Sequence, residues 1–281
     1  MSKFRKAREL FRITRELFML QMRHRFSRSK LTSTAAGWEK PFDTLRHKWV
    51  EVPVTTTVNG RRRTDELLTL SDEELLGLWS KAREAQTTGS GFATRGWYHL
   101  LYADALRGKK ILDVGCGLAF DSITFAQHGA RVTFVDIVET NLQVVRRLCK
   151  ILGLHDVDFL YMRDVESLSS LEVDFDVVMC IGSLHNAPFE VIRPEVQELL
   201  RHLRIGGRWI QLAYPKTKWL REGSLPFDMW GIRTDGPGTP WVEWYDLPKL
   251  LRLLEPARFD VVLYLEFDNN NFNWFDLVRR Q

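Results

Sequence analysis

A pair of closely spaced glycines follows a short apolar run at residues 111–120, which read Ile-Leu-Asp-Val-Gly-Cys-Gly-Leu-Ala-Phe. Glycine lets the backbone turn tightly and approach a ligand, and open parallel sheets bind ligands at the carboxyl ends of their strands. Gly115 and Gly117 are therefore candidate binding residues, with Asp113 just before them. Phe120 takes the place of the third glycine in the dinucleotide-binding fingerprint, which argues against a bound pyrophosphate.

The next apolar run ends in a carboxylate, Asp136, about 20 residues beyond the glycine turn. A carboxylate in that position can accept hydrogen bonds from the ribose hydroxyls of an adenosine. Nicotinamide dinucleotides and S-adenosylmethionine both carry adenosine, but only the dinucleotides carry a pyrophosphate, which requires the longer glycine motif. The pattern therefore favours S-adenosylmethionine as the cofactor.

Further motifs follow in order along the chain. Asp164 lies after a third apolar run, residues 175–185 read Phe-Asp-Val-Val-Met-Cys-Ile-Gly-Ser-Leu-His, and residues 203–210 contain a Gly-Gly turn. Together with residues 111–123 and Asp136, these segments resemble the successive motifs of class I S-adenosylmethionine-dependent methyltransferases. The resemblance covers residues 105–281 and includes a closing pair of strands.

The resemblance implies seven donor-binding residues. Three near the glycine turn face the methionine portion, the carboxylate at residue 136 binds the ribose, and residues 137, 164 and 165 meet the adenine. By position they are Asp113, Gly115, Gly117, Asp136, Ile137, Asp164 and Val165. Arg95 and Tyr98 precede the sheet and are expected to close the donor side, with Arg95 meeting the donor carboxylate. Asp164 has an alternative role, as the cap of a short helix at residues 166–170.

The family places its acceptor-facing residues after the fourth strand, here at residues 182–186. Methyl transfer from a sulfonium mainly requires alignment, and a base is needed only if the acceptor arrives protonated. His185 is the candidate catalytic base, since a histidine titrates near neutrality, and Ser183 and Asn186 are candidate acceptor contacts. The alternative is that His185 packs in the core or faces the cofactor.

A long insertion at residues 215–245 is rich in tryptophan, and long loops inside compact domains are usually functional. Its aromatic and charged side chains suit a polar, ring-bearing acceptor such as a sugar; the alternative is that they pack a lid onto the sheet. The candidate acceptor-binding residues here are Trp230, Trp241, Glu243 and Tyr245.

The Asn/Asp-Pro-Pro-Tyr motif of enzymes that methylate nucleic-acid bases is missing, as are the paired acidic residues of metal-dependent catechol-type enzymes. We therefore expect neither a nucleic-acid acceptor nor a metal.

The net charge of +4 is divided unevenly, because residues 1–30 carry ten Lys or Arg and two Glu, which leaves the remainder acidic. An acidic body argues against a broad nucleic-acid surface. Residues 3–26 read as a basic amphipathic helix, which either packs on the domain, lies on a membrane or lipid substrate, or contacts a partner or nucleic acid. Three separated cysteines and no signal or membrane-spanning segment predict a cytoplasmic protein, with peripheral membrane contact through residues 3–26 left open.

The alternation of β-rich and helical segments after Lys110 predicts an α/β fold: a Rossmann-like, seven-stranded, mostly parallel sheet with an antiparallel last strand and helices on both faces. The predicted strands are 111–115, 131–136, 157–162, 175–181, 207–214, 259–267 and 273–278, and the helices between them are 119–128, 139–152, 189–203 and 246–254.

Helices beginning at Ser71 and running through Tyr102 are predicted before the sheet, and residues 49–58 read as an edge strand or a hairpin ending at Asn59-Gly60. The predicted organisation is a basic helix at 1–30, an N-terminal helical cap and linker at 31–104 and a methyltransferase domain at 105–281, with residues 215–245 as substrate lid.

These observations predict an S-adenosylmethionine-dependent methyltransferase that acts on a hydroxyl, or less readily an amine, of a polar small molecule or glycan, with a lipid-linked acceptor as one form. Two alternatives stay open: an RNA methyltransferase and a non-catalytic scaffold that keeps the S-adenosylmethionine-binding fold. The acceptor, the methylated atom and the oligomeric state do not follow from the sequence.

Overall fold

The computed structural model of the chain describes residues 14–15, 41–54 and 60–281. Of the basic helix predicted at 3–26, only Thr14 and Arg15 fall within this range, and both are helical and exposed. The rest of that prediction lies outside the described residues. No described helix has both the length and the apolar character needed to cross a membrane.

The central sheet contains all seven predicted strands. Its strand order is β5-β4-β3-β6-β7-β10-β9, in which β3 to β7 are mutually parallel and β10 is antiparallel to both of its neighbours. A further two-residue strand, β8, pairs with β7 in parallel. The bounds are β3 Lys110–Val114, β4 Arg131–Asp136, β5 Val157–Tyr161, β6 Phe175–Ile181, β7 Leu203–Pro215, β8 Trp244–Tyr245, β9 Phe259–Phe267 and β10 Phe272–Arg279.

Helices cover the two faces of the sheet because successive strand residues point to opposite sides. Ile111 packs in one buried cluster with the helices that precede the sheet and the two that follow β3 and β4, whereas Leu112 packs in the other with the later helices. The helices of the domain are α5 Phe120–Gln127, α6 Glu139–Ile151, α7 Phe189–His202, α8 Lys216–Arg221, α9 Phe227–Asp235 and α10 Leu247–Leu254. The result is the three-layer α/β arrangement that the sequence predicts.

A cap precedes the sheet. It comprises α1 Pro41–Trp49, the hairpin strands β1 Glu51–Pro53 and β2 Arg61–Arg63, α2 Thr64–Leu67, α3 Asp72–Thr87 and α4 Gly96–Tyr102. The side chain of Ser71 accepts a hydrogen bond from the Glu74 N–H and the Glu74 side chain accepts one from the Ser71 N–H, so the predicted start of α3 is confirmed.

A hairpin is present, since β1 and β2 pair antiparallel from Glu51–Arg63 to Pro53–Arg61, but its second strand lies beyond the predicted end at Asn59-Gly60. The prediction that the strand begins at Trp49 was wrong: Trp49 ends α1, a helix that the sequence pattern does not indicate. The helix is short and is held by contacts distant in sequence, such as the hydrogen bond from Lys48 Nζ to the Pro237 carbonyl at 2.8 Å.

The chain crosses from β3 to β4 on one side and from β6 to β7 on the other, so β3 and β6 flank the point at which the strand order reverses. At such a point the connections leave in opposite directions and open a crevice beyond the carboxyl ends of the strands. The fold therefore creates its main crevice next to the glycine turn that follows β3.

Candidate active site

A cavity of about 540 Å³ opens at this crevice, within the usual size range for small-molecule sites. Its floor is formed by the glycine turn after β3 and the carboxyl ends of β4 and β6. The cap, the start of α7, the 215–245 insertion and the β9–β10 turn supply the walls. The cavity thus joins segments from the whole described chain.

The glycine turn has a geometry that larger residues cannot adopt. Gly115 has a φ of +73°, and a Cβ on it would lie 2.4 Å from the Cβ of Ser183. Ser183 is fixed there, since its hydroxyl donates a hydrogen bond to the Val114 carbonyl at 2.6 Å. Gly117 has a φ of +54° and open space where its Cβ would be. The turn therefore forms a cradle that exposes backbone to the cavity.

Asp136 lines the cavity at the end of β4, as predicted, and is 4% exposed. Its carboxylate accepts hydrogen bonds from the backbone N–H of Gly117 at 2.9 Å and of Val138 at 2.8 Å. Burial raises the pKa of this carboxyl, while these hydrogen bonds act in the opposite direction. Oδ1 also accepts a hydrogen bond from Asn141 Nδ2 at 3.3 Å, and Oδ2 accepts one from the Cys116 thiol at 3.8 Å. A ligand hydroxyl that donates to this carboxylate would therefore compete with these two longer hydrogen bonds.

Asp113 also lines the cavity and is 4% exposed. Its carboxylate accepts a hydrogen bond from the Ser122 hydroxyl at 2.5 Å. Burial raises the pKa of this carboxyl to about 7, and the Ser122 hydrogen bond opposes the shift. A cationic group in the cavity would stabilise its charged form.

Arg95 reaches the cavity from the residue before α4, but it is already paired with Asp121, which lines the cavity beside it. The same carboxylate accepts hydrogen bonds from the Tyr98 hydroxyl at 3.0 Å and from His99 Nε2 at 2.6 Å. Burial would raise the pKa of Asp121, but the charge of Arg95 outweighs it and holds that pKa below its usual range. Tyr98 is fully buried and does not line the cavity, so it supports Arg95 from behind.

The predicted adenine residues separate in the structure. Ile137 lines the cavity together with Leu45 and Phe42 of α1. Asp164 is exposed and Val165 is half-buried, and neither lines the cavity. Asp164 instead caps the 3-10 helix Val165–Ser170, accepting a hydrogen bond from the Ser167 N–H at 2.8 Å.

His185 lies in the cavity wall after β6, 3% exposed, with its ring centroid 4.8 Å from that of Tyr214. Its Nδ1 is buried and has no hydrogen-bond partner in the part of the chain that the structure describes. Burial lowers the pKa of this imidazole to about 4; the nearby Lys218 charge lowers it further and Asp235 opposes both. His185 is therefore neutral at physiological pH, and its low pKa makes it a weak proton acceptor.

Four further groups share the wall with His185 and define what we call the acceptor side: Asn186, Tyr214, Lys218 and Asp235. Buried Asp235 connects two of the others, since it accepts hydrogen bonds from the Tyr214 hydroxyl at 2.8 Å and from Asn186 Nδ2 at 3.3 Å. Arg61 of the cap hairpin lies 3.7 Å from the same carboxylate. The acceptor side is therefore polar, with aromatic faces, and is closed by the cap.

The tryptophan-rich insertion is mostly packed on itself. Trp230 is fully buried and donates a hydrogen bond to Glu222 at 2.7 Å, and Glu243 pairs with Lys249 at 2.5 Å and accepts a hydrogen bond from Trp241 at 3.2 Å. The structure does not place Trp230, Trp241, Glu243 or Tyr245 among the residues that line the cavity. Their arrangement matches the alternative in which these aromatic residues pack a lid onto the sheet.

Sequence reasoning missed several cavity residues, because they lie far from the motifs. They include Arg61, Lys218 and Gln86 of α3. The Gln86 amide nitrogen is buried and has no hydrogen-bond partner among the described residues. No local pattern around these residues distinguishes them from ordinary surface or helix positions.

The cavity has the groups that S-adenosylmethionine requires. Buried carboxylates at Asp113 and Asp136 suit an ammonium and ribose hydroxyls, the Gly117 cradle leaves space beside the backbone, and the unpartnered Gln86 amide can donate to a carboxylate. Among the described residues, no group of three or more His, Cys, Asp or Glu is placed to hold a metal ion.

Comparison with known proteins identifies the class of this fold and site. Residues 111–207 match the family model described as a methyltransferase domain. Residues 111–207 therefore form a methyltransferase domain, and the sheet around them has the fold of the class I S-adenosylmethionine-dependent methyltransferases.

Particular relatives share only part of this chain. It is similar to the ubiquinone biosynthesis O-methyltransferase of Idiomarina loihiensis, at 39% identity over 88 residues, covering 31% of this chain and 35% of that enzyme. The enzyme of the same name from Neisseria meningitidis serogroup C is 34% identical over 112 residues, covering 39% of this chain and 46% of the relative. The chain therefore spans less than half of the length of these curated relatives.

Solved structures show the fold alone. The YcgJ protein of Bacillus subtilis has a TM-score of 0.52 with this chain at 15% identity, and the similarity covers 66% of this chain and all of that protein. The cap precedes residue 111 and therefore lies outside the matched family domain.

Proposed function

We propose that this protein transfers the methyl group of S-adenosylmethionine to a hydroxyl group of a small molecule. The observation that carries this proposal is that one cavity joins the Asp136 and glycine-turn cradle to the polar acceptor side around His185. The O-methyltransferase names of the partial relatives support the same reaction. The sugar or glycan acceptor rested on the Trp residues of the insertion, and their packing removes the main support for it.

The residues have separate tasks in this proposal. Asp136 binds the ribose, Asp113 binds the ammonium of the methionine portion, and Gln86 with Arg95 faces its carboxylate. S-adenosylmethionine supplies a methyl group that is already activated by its positive sulfur. The acceptor side holds the hydroxyl in line with that methyl group, and alignment of this kind supplies much of the rate enhancement in such a transfer.

The proposal is tested by incubating the protein with S-adenosylmethionine labelled in its methyl group and a panel of phenols, alcohols and amines. We expect label in the ether product of a hydroxyl compound, with S-adenosylhomocysteine formed in equal amount. Asp136→Ala, which removes the ribose contact, is expected to abolish transfer, whereas Asp158→Ala at an exposed strand position is the matched control. A protein that binds the donor but labels none of these compounds would be a scaffold, contrary to the proposal.

A further inference from the structure

Lys218 of α8 presents a cation to the acceptor side. Its ammonium lies 4.3 Å from the centre of the Tyr214 ring and 5.8 Å from that of Phe272, and all three residues line the cavity. It donates no hydrogen bond and forms no ion pair with any described residue. Burial lowers the pKa of this ammonium below its ordinary value, and Glu222 opposes the shift.

Carboxylates near Lys218 are engaged elsewhere. Glu222, on the next residue after α8, accepts the Trp230 indole hydrogen bond, and Asp235 of α9 accepts that of Tyr214. Asp268 of the β9–β10 turn lies 3.5 Å from the Thr94 hydroxyl. The other charged or titratable neighbours are Arg221, on the same helix, and His185. These carboxylates act on the ammonium through their charge, but none of them accepts a hydrogen bond from it, so its N–H groups are available to an anion in the cavity.

A hydroxyl acceptor needs such a charge, because its oxygen must lose a proton as it attacks. His185 is poorly suited to take that proton, since its conjugate acid has a pKa of about 4. A nearby cation, which lowers the pKa of the hydroxyl so that it is bound as the anion, is the other way to make the hydroxyl reactive.

We propose that Lys218 is a catalytic residue whose ammonium faces the acceptor oxygen and holds it as an oxyanion, and that the acceptor is therefore an aromatic hydroxyl compound. This inference rests on the proposed methyl transfer. The hydroxyl releases its proton to solvent on binding. The oxygen lone pair then forms the bond to the methyl carbon, the carbon–sulfur electron pair leaves with sulfur, and Lys218 keeps its proton throughout.

The amount by which the Lys218 charge can lower a hydroxyl pKa favours phenols over alcohols as acceptors. An opposite charge within about 4–6 Å lowers a pKa by about 1–3 units. A phenol with a pKa of about 10 then ionises at about pH 7 to 9, whereas an alcohol that ionises as reluctantly as water, with a pKa of about 16, stays protonated. The rings of Trp49, Tyr214 and Phe272 around the same cavity supply faces against which an aromatic ring can pack.

The test uses 4-nitrophenol as a chromogenic probe, because its anion absorbs visible light and its neutral form does not. The probe is titrated against pH with the whole protein saturated with S-adenosylhomocysteine. We expect its ionisation midpoint to fall by about one pH unit or more on binding to the wild type. Lys218→Met should abolish the shift and weaken binding of the anion roughly tenfold or more, as expected for loss of a charged hydrogen bond.

Two further variants separate the positive charge of Lys218 from its packing and from the general charge of the helix. Lys218→Arg keeps the positive charge and should keep the shift, and Lys216→Met removes an exposed charge on the same helix, outside the cavity, and should leave it unchanged. Failure of the probe to bind the wild type, or a full shift in Lys218→Met, would overturn the inference. Because the readout is absorbance, a protein that ionises the probe without transferring methyl refutes the proposed function alone.

Discussion

The protonation state of the buried Asp113 carboxyl depends on whether the proposed ligand, which carries an ammonium group, is bound. In the free protein, burial raises the pKa of this carboxyl to about 7, so it is largely protonated at pH 6. A donor ammonium beside it favours the carboxylate, which lowers its pKa in the complex. Ligand binding below pH 7 must therefore release the proton of the Asp113 carboxyl. The affinity for the ligand must rise with pH until this carboxyl is already ionised in the free protein.

We therefore expect the affinity for S-adenosylhomocysteine to increase about tenfold from pH 6 to pH 8, since one proton is linked to binding over the first of these units. Calorimetry in buffers of different ionisation enthalpy measures the proton release directly. Asp113→Asn should bind more weakly and lose the pH dependence. Glu195 also lines the cavity with a pKa raised by burial to about 7, so Glu195→Gln is the control that should retain the dependence.

At the scale of single residues, the sequence predicted the positions of groups whose geometry depends on the local backbone. Gly115 and Asp136 belong to a turn and a strand end whose shape follows from neighbouring residues, and both lie where the motif requires. Arg61 and Lys218 reach the cavity only after the hairpin and the insertion fold back over the sheet, so no local pattern marks them. The Trp residues of the insertion could not decide between an acceptor site and a packed lid in the sequence, because aromatic residues in the two roles have the same composition.

Among the elements, α1 covers the part of the cavity next to Ile137, where the adenine is proposed to bind. The Arg46 guanidinium donates hydrogen bonds to the carbonyl of Ile137, at 2.9 Å, and to those of Met162 and Arg163, beyond β4 and β5. Leu45 and Phe42 of the same helix line the cavity. If the adenine binds at Ile137 as proposed, it packs against α1, so we expect the strength of these contacts to set the rate of donor release.

Arg46→Met is expected to speed dissociation of S-adenosylhomocysteine roughly tenfold. Hydrogen bonds from a charged donor contribute about 1.5–3 kcal/mol, and about 1.4 kcal/mol corresponds to a factor of ten. Stopped-flow displacement of the bound compound measures this rate, and hydrogen exchange over residues 41–54 reports the opening itself. Arg62→Met, at an exposed position of β2, is the matched control. An unchanged release rate in Arg46→Met would show that α1 does not limit exit.

At the scale of the whole molecule, periodicity and the family resemblance predicted the sheet, its parallel order and its antiparallel end. These features depend on patterns that repeat over five to fourteen residues within each of the predicted strands and helices. The cap did not emerge in full, because α1 and the hairpin are short and are held by contacts with residues such as Pro237, nearly 190 positions away. The shared core of the fold could therefore be predicted, whereas the segments that close the cavity required the structure.

The cavity is bounded by the cap, the sheet, α7, the insertion and the β9–β10 turn together. A ligand bound there should therefore stabilise the fold of all these segments at once. A ligand that binds only the folded state at about 100 times its Kd stabilises it by about 2.7 kcal/mol, which for a chain of this size corresponds to roughly 5–10 °C in Tm. We expect S-adenosylhomocysteine to produce such a shift in a thermal unfolding experiment, and Asp136→Ala to reduce it strongly at the same ligand concentration. NAD should produce no comparable shift, since the glycine turn lacks the third glycine of the dinucleotide fingerprint and has Phe120 there. An equal shift with NAD would contradict the assignment of the cavity to an S-adenosyl donor.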